Sequence, residues 1–157
     1  MTNLISSAGM KRLQEEFDFL WKVERPKVVQ GVADAAAEGD RSENAEYIYG
    51  KKRLREIDSK LKQLGTRLKL LKVASMPVNP KQVTFGCWVT YEDEDGNERC
   101  YQLVGPDEFD VTEGKISIDS PVGQALLHKR VDDEVFIRKP SGAVTATIID
   151  ISGTKPG

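Results

Sequence analysis

Asp40 and Glu43 stand three residues apart in Gly39-Asp40-Arg41-Ser42-Glu43, with Asn44, Glu46 and Tyr47 just beyond. Carboxylates at this spacing can serve two ends. At the start of a helix, Asp-x-x-Glu is a capping box: the aspartate accepts a backbone N–H and the glutamate reaches back. As oxygen donors, the same pair can hold a hard divalent cation such as magnesium. That ion demands near-octahedral oxygen coordination, so two carboxylates make an incomplete site. The two uses are compatible, because a cation needs only the lone pairs that capping leaves over. If the pair works in catalysis, the other ligands must come from a partner that already holds one metal. Two-metal phosphodiester hydrolysis fits such an arrangement.

Downstream of the pair the charge changes sign. Residues 51–76 carry 9 basic and 2 acidic groups, whereas residues 1–50 carry 6 and 9 and residues 77–157 carry 8 and 14. On a helix stepping about 100° per residue, with Lys51 at zero, Arg55, Lys62 and Lys69 fall within about 40° of it, well away from the apolar seam near 250°. The stripe is therefore free to meet phosphates or an acidic surface, and a local excess of this size can hold an RNA backbone electrostatically. Lys51, Lys52, Arg53 and Arg55 lie within about three turns of Asp40 and Glu43, which makes metal site and nucleic-acid contact neighbours.

Self-contained catalysis has little to draw on. The single histidine, His128, sits at the end of a short predicted helix, where a cation matches the dipole. With two cysteines, Cys87 and Cys100, there is no Ser-His-Asp or Cys-His constellation, no four-ligand zinc site and no phosphate-binding glycine loop. The acidic run Glu92-Asp93-Glu94-Asp95 lacks the twelfth-position glutamate of a calcium loop and reads as a solvated hairpin turn. An aromatic pocket for prolyl isomerisation is not evident, because the aromatic residues after residue 80 fall mostly on predicted strands.

Two kinds of element must position these residues. From Ser7, a plausible cap, to about Glu38 the chain reads as a helix with Met10, Leu13, Phe17 and Leu20 on one face, kinked at Pro26, and with Val28, Val32 and Ala35 continuing the face. Leu54, Ile57, Leu61, Leu64, Leu68 and Leu71 then recur at spacings of 3 and 4, a coiled-coil seam. The short connection at residues 39–42 allows only an antiparallel hairpin, about 45 Å long. A two-helix rod of that length is either an arm for self-association or a probe that reaches into something.

After Met76-Pro77-Val78-Asn79-Pro80 the pattern becomes β-rich, with strands predicted over 83–91, 99–104, 115–119, 134–138 and 143–151. Asp95-Gly96 and Ser141-Gly142 are turn pairs, and pairing about the first would set Cys100 opposite Tyr91, away from Cys87. One helix is predicted from Pro121 to about His128, with Ser120 as its cap. The expected fold is α+β: a two-helix antiparallel coiled-coil hairpin over 1–76 and a small antiparallel-sheet domain over 77–157. Hydrophobic residues at 39% and charged residues at 31% of 157, with net charge −2, support a folded chain. The first residues hold no apolar run long enough for a signal peptide or span, so a soluble, cytoplasmic protein is expected, with no membrane partner.

The tip sequence Gly39-Asp40-Arg41-Ser42-Glu43-Asn44-Ala45-Glu46-Tyr47, followed by Lys51-Lys52-Arg53-Leu54-Arg55-Glu56-Ile57-Asp58, resembles the bacterial transcript cleavage factors of the Gre family. Trp21 with Glu24-Arg25-Pro26 is similar to the GreB branch more than to GreA. Ile116-Ser117-Ile118-Asp119-Ser120-Pro121 extends the resemblance into the second domain. It implies an FKBP-like second domain without isomerase activity and a monomeric factor that is not itself an enzyme. Such a factor docks at the rim of the RNA polymerase secondary channel, Asp119, Ser120 and Pro121 being the implied contact, and threads its hairpin inward. Asp40 and Glu43 then help hold a Mg2+ shared with the polymerase and position the attacking water. Lys51, Lys52, Arg53 and Arg55 hold the 3′ end of the backtracked RNA, which is cut so that elongation resumes. A channel-binding regulator that does not promote cleavage is the alternative.

Overall fold

A computed structural model describes residues 2–39 and 44–157; Asp40, Arg41, Ser42 and Glu43 lie outside the described residues. The chain forms two compact units. One runs from Met10 to Leu71; the other joins the residues up to Gly9 with Lys72–Gly157. The sequence places a boundary at residue 76, but two long-range interactions draw the N-terminal residues into the sheet unit. Strand β1 (Leu4–Ile5) pairs in parallel with β2 (Lys72–Val73). In addition, the buried carboxylate of Glu108 accepts both the Ser6 N–H, at 2.8 Å, and the Ser6 hydroxyl, at 2.5 Å.

The helical unit is built as the apolar spacing dictates, with an irregularity the spacing does not show. Helix α1 (Ser7–Phe19) is capped by Ser6, not Ser7, since the Ser6 hydroxyl accepts the Gly9 N–H. A π-helical turn, Leu20–Glu24, then leads into α2 (Arg25–Ala37). Proline cannot donate to the helical ladder and its ring crowds the carbonyl four residues back. One wider turn ahead of Pro26, closed by Arg25 N–H to Leu20 O, absorbs both problems, and the helix continues without a break. Helix α3 (Ala45–Leu70) returns antiparallel: Glu16 meets Lys60, Arg25 meets Asp58, Glu24 meets Arg53, and Val32 meets Gly50. Leu20, Ile57, Leu61 and Leu64 form the buried seam, with Leu13, Phe17 and Val28 packed beside it.

Beside the β1–β2 pair, the sheet unit carries a five-stranded sheet in the order β5-β4-β3-β7-β6: β3 (Trp88–Asp93), β4 (Glu98–Val104), β5 (Lys115–Ser117), β6 (Glu134–Lys139) and β7 (Gly142–Ser152). All neighbours are antiparallel except β4 and β5. Val89, Leu103, Val135, Ile137 and Ile148 point to one core, against which Leu126 of α4 (Pro121–Leu126) packs.

Three sequence expectations shift. The strand predicted over 83–91 starts only at Trp88, because Gly86, at φ +88°, and Cys87 N–H bonding back to Thr84 O make a turn first. Residue Cys100 lies opposite Thr90, and Tyr91 opposite Arg99. The predicted helix reaching His128 ends at Leu126, and His128 takes a positive φ while its N–H bonds Val83 O. Both cysteines are free thiols.

Tyr91 is 2% exposed, and its ring lies 6.2 Å from that of Tyr101. Burial, reinforced by Tyr101, pushes its phenol up from 10.0 to about 12. A raised phenol favours the neutral form in the folded state, so its contribution to stability is complete below pH 10 and drains away as pH climbs to about 12. We expect thermal melts of the sheet unit to weaken over that window, and Tyr91→Phe to flatten the slope. An ordinary titration of Tyr91, followed by tyrosinate absorbance, would remove this account.

Candidate functional site

The start of α3 is fixed by Asn44. Asn44 has extended backbone, φ −85° and ψ 101°, and its side-chain oxygen accepts the Tyr47 N–H at 3.2 Å, an N-cap. The same side chain donates through Nδ2 to Ala35 O, 2.7 Å away near the end of α2. Ala35 O also accepts the Glu38 N–H, and Gly39 N–H reaches Ala36 O, closing that helix. One asparagine thus caps the second helix and ties it to the first. Asn44 is the N-cap of α3, and the capping box expected of Asp40 and Glu43 falls on residues outside those described. Asp40 and Glu43 themselves lie outside the described residues, as four residues of sequence between Gly39 and Asn44.

The four basic residues do not act alike. Lys51, Lys52 and Arg55 are exposed. Lys52 and Arg55 flank, with Lys60, an open groove of about 610 Å³ along α3 that Ser59 and Gln63 also line. Arg53 is engaged: its Nε donates to Glu24 Oε1 at 2.7 Å, its Nη2 donates to the same oxygen, and its Nη1 reaches Glu56 Oε2 at 3.3 Å. These bonds, to Glu24 first, raise its pKa above the ordinary guanidinium value. Arg25 makes a similar cross-hairpin pair with Asp58, at 2.8 Å, and also stacks over Trp21. Arg53 accordingly serves as a staple between the helices.

In the sheet unit, the Asp119-Ser120-Pro121 loop is fixed by its own backbone. The Ser120 hydroxyl donates to Ser117 O at 2.6 Å and accepts the Gly123 N–H at 3.1 Å, capping α4, with Pro121 at its first position. Gly123 is required by contact, since a Cβ there would stand 2.3 Å from Ser117 O. Asp119 is exposed and accepts the Thr2 N–H at 2.9 Å. Among the described residues no group of three or more His, Cys, Asp or Glu is placed to hold a metal, and no helix is long and apolar enough to cross a membrane.

With this geometry in hand, comparison with known proteins is decisive. Residues 3–73 match the family model "Transcription elongation factor, N-terminal", and residues 78–153 match "Transcription elongation factor, GreA/GreB, C-term". This chain belongs to the GreA/GreB family of transcription elongation factors. It is GreB-like: it is 53% identical over 151 residues to transcription elongation factor GreB of Pseudomonas aeruginosa, covering 96% of this chain and 90% of that protein. The Haemophilus influenzae GreB is 54% identical over 147 residues, covering 92% of each. A solved GreA/GreB structure from Nitrosomonas europaea, 24% identical, covers 96% of this chain and 99% of its own, with a TM-score of 0.42.

What sequence reasoning missed in this GreB-like chain is the double role of Asn44. The signal was there, an asparagine directly before the helical Ala45-Glu46, but the aspartate four residues earlier competed for the same assignment. Asn44→Ala removes both a cap and an inter-helix bond. We expect a loss of about 1–2 kcal/mol in the helical unit, measured by urea unfolding, with Asn44→Asp recovering the cap but not the Ala35 tie. Equal stability of the alanine and wild-type chains would contradict the clamp.

Proposed function

We propose that this GreB-like factor inserts its helical hairpin into the RNA polymerase secondary channel and stimulates Mg2+-dependent hydrolytic cleavage of the 3′ end of backtracked transcripts. It acts in the cytoplasm as a monomer and is a cofactor of the polymerase's own nuclease activity. The observation that supports this most is the Asn44 clamp: it ties the start of α3 to the end of α2, so the acidic pair of the sequence falls within the short connection, residues 38–44, between Ala37 and Ala45.

The donor chemistry fits the shared ion. Asp40 and Glu43 offer hard anionic oxygens, as magnesium prefers, yet too few to complete its shell, so a partner must provide the rest. When bound there, the ion supplies activation of a water and neutralisation of charge building on the phosphate. This chain's residues have plainer tasks. Asp40 and Glu43 hold and orient. Lys51, Lys52 and Arg55 attract the phosphates of the extruded strand. The rigid Asp119-Ser120-Pro121 loop contacts the channel rim.

The test is an artificially backtracked elongation complex with and without the chain. Release of short 3′ fragments should rise with the chain present and vanish on chelation of magnesium. Binding without any gain in fragment release would favour a regulator that occupies the channel and donates no ligands.

A further inference from the structure

Between α2 and α3, in the half of the hairpin next to Asn44, an open groove of about 580 Å³ is lined by Lys27, Gly31, Val32, Glu46, Tyr49 and Gly50, with the Glu24–Arg53 pair at its margin. Two of its residues are not explained by packing. Tyr49 keeps 71% of its surface in water, on the second turn of α3 and about 8 Å of helix rise from Asn44. Gly31 lies inside α2 with nothing within 4 Å of where a Cβ would stand. Glycine weakens a helix interior relative to alanine, and here no close contact or turn requires it. Gly50 differs, because a Cβ there would sit 2.6 Å from Val32 Cγ2, so helix packing accounts for it.

We propose that this groove receives one unpaired base of the extruded RNA, stacked on Tyr49 over the floor that Gly31 leaves open. The inference rests on the function proposed above and names a subsite for its substrate. Aromatic faces hold single-stranded bases without regard to sequence, as a factor acting on any transcript needs. The charges suit a base with its backbone outward. Glu24 is neutralised by Arg53, Lys27 lies on the rim, and Lys51 and Lys52 follow Tyr49 on α3. Glu46 is left as an acceptor for an exocyclic amine.

Cleavage of a backtracked complex at subsaturating full-length factor tests it. Tyr49→Ala should slow cleavage about tenfold, while Tyr49→Phe, which keeps the ring, stays within about twofold. An abasic nucleotide placed at each extruded position in turn should, at one position, slow the wild-type reaction by the same factor and the alanine variant no further. Gly31→Leu, which fills the groove and improves the helix, should raise the melting temperature and yet reproduce the loss of cleavage. Unchanged cleavage by Tyr49→Ala, or losses from alanine and abasic RNA that simply multiply, would overturn the subsite. So would a loss of polymerase affinity as large as the loss of cleavage, which would mean that protein fills the groove. No gain in fragment release with the wild-type chain would instead remove the underlying function.

Discussion

Asp40→Asn is expected to abolish stimulated transcript cleavage while leaving polymerase affinity nearly intact. The substitution preserves side-chain size and hydrogen-bonding reach but exchanges an anionic oxygen for an amide. Charge stabilisation by a bound metal is worth several kcal/mol, so loss of one of its few donated ligands should lower the rate by at least about a hundredfold. Folding should be spared, because the cap of α3 is Asn44 and the tie to Ala35 O is made by the same residue. Glu43→Gln should behave alike, and the double variant little worse than either, since both act on one ion. Binding is measured by competition with the wild-type chain for the elongation complex. Cleavage by Asp40→Asn within about threefold of wild type, with binding retained, would end the proposal of donated ligands.

The same tip shows what a sequence can and cannot disclose. The middle of the predicted seam, Ile57, Leu61 and Leu64, was legible because a 3-4 repeat of apolar residues marks one face of a helix, whereas Leu71 falls just past the end of α3. Roles that depend on residues distant in the chain were hidden. Arg53 counts as one more cation until Glu24, 29 residues earlier, is brought against it by the antiparallel return. Pro26 announced a disturbance, but not that a π-helical turn would take it up before the proline.

The register of β3 against β4 failed for a comparable reason. A two-residue turn at Asp95-Gly96 pairs Tyr91 with Cys100. The observed loop has three residues, with Gly96 at φ +80°, and Asp93 N–H bonds Asn97 O. The Asp93 carboxylate stabilises this longer loop by accepting the N–H groups of Asp95 and Asn97, both at 2.9 Å, which also holds its pKa below the ordinary carboxylate range. One residue of extra loop moves every cross-strand pair by one.

Ile57→Ala should be the most damaging single change to the helical unit. Its side chain is 0% exposed, and the buried seam around it is small: Leu20, Leu61 and Leu64, with Leu13, Phe17 and Val28 only partly covered. Truncating a buried isoleucine removes its transfer energy and leaves a cavity, about 2–5 kcal/mol in total. A two-helix unit has few other apolar contacts to redistribute, and its ion pairs are exposed ones that contribute little each. The sheet unit has a separate core centred on Val89, Leu103, Ile137 and Ile148. Unfolding followed by far-ultraviolet circular dichroism should therefore show helix melting early, while Tyr91 and Trp88 in the sheet report a transition close to wild type. If the proposed function holds, stimulated cleavage should fall in step with the helical signal. A loss below about 1 kcal/mol, or equal destabilisation of both signals, would show that the seam does not carry the hairpin as described.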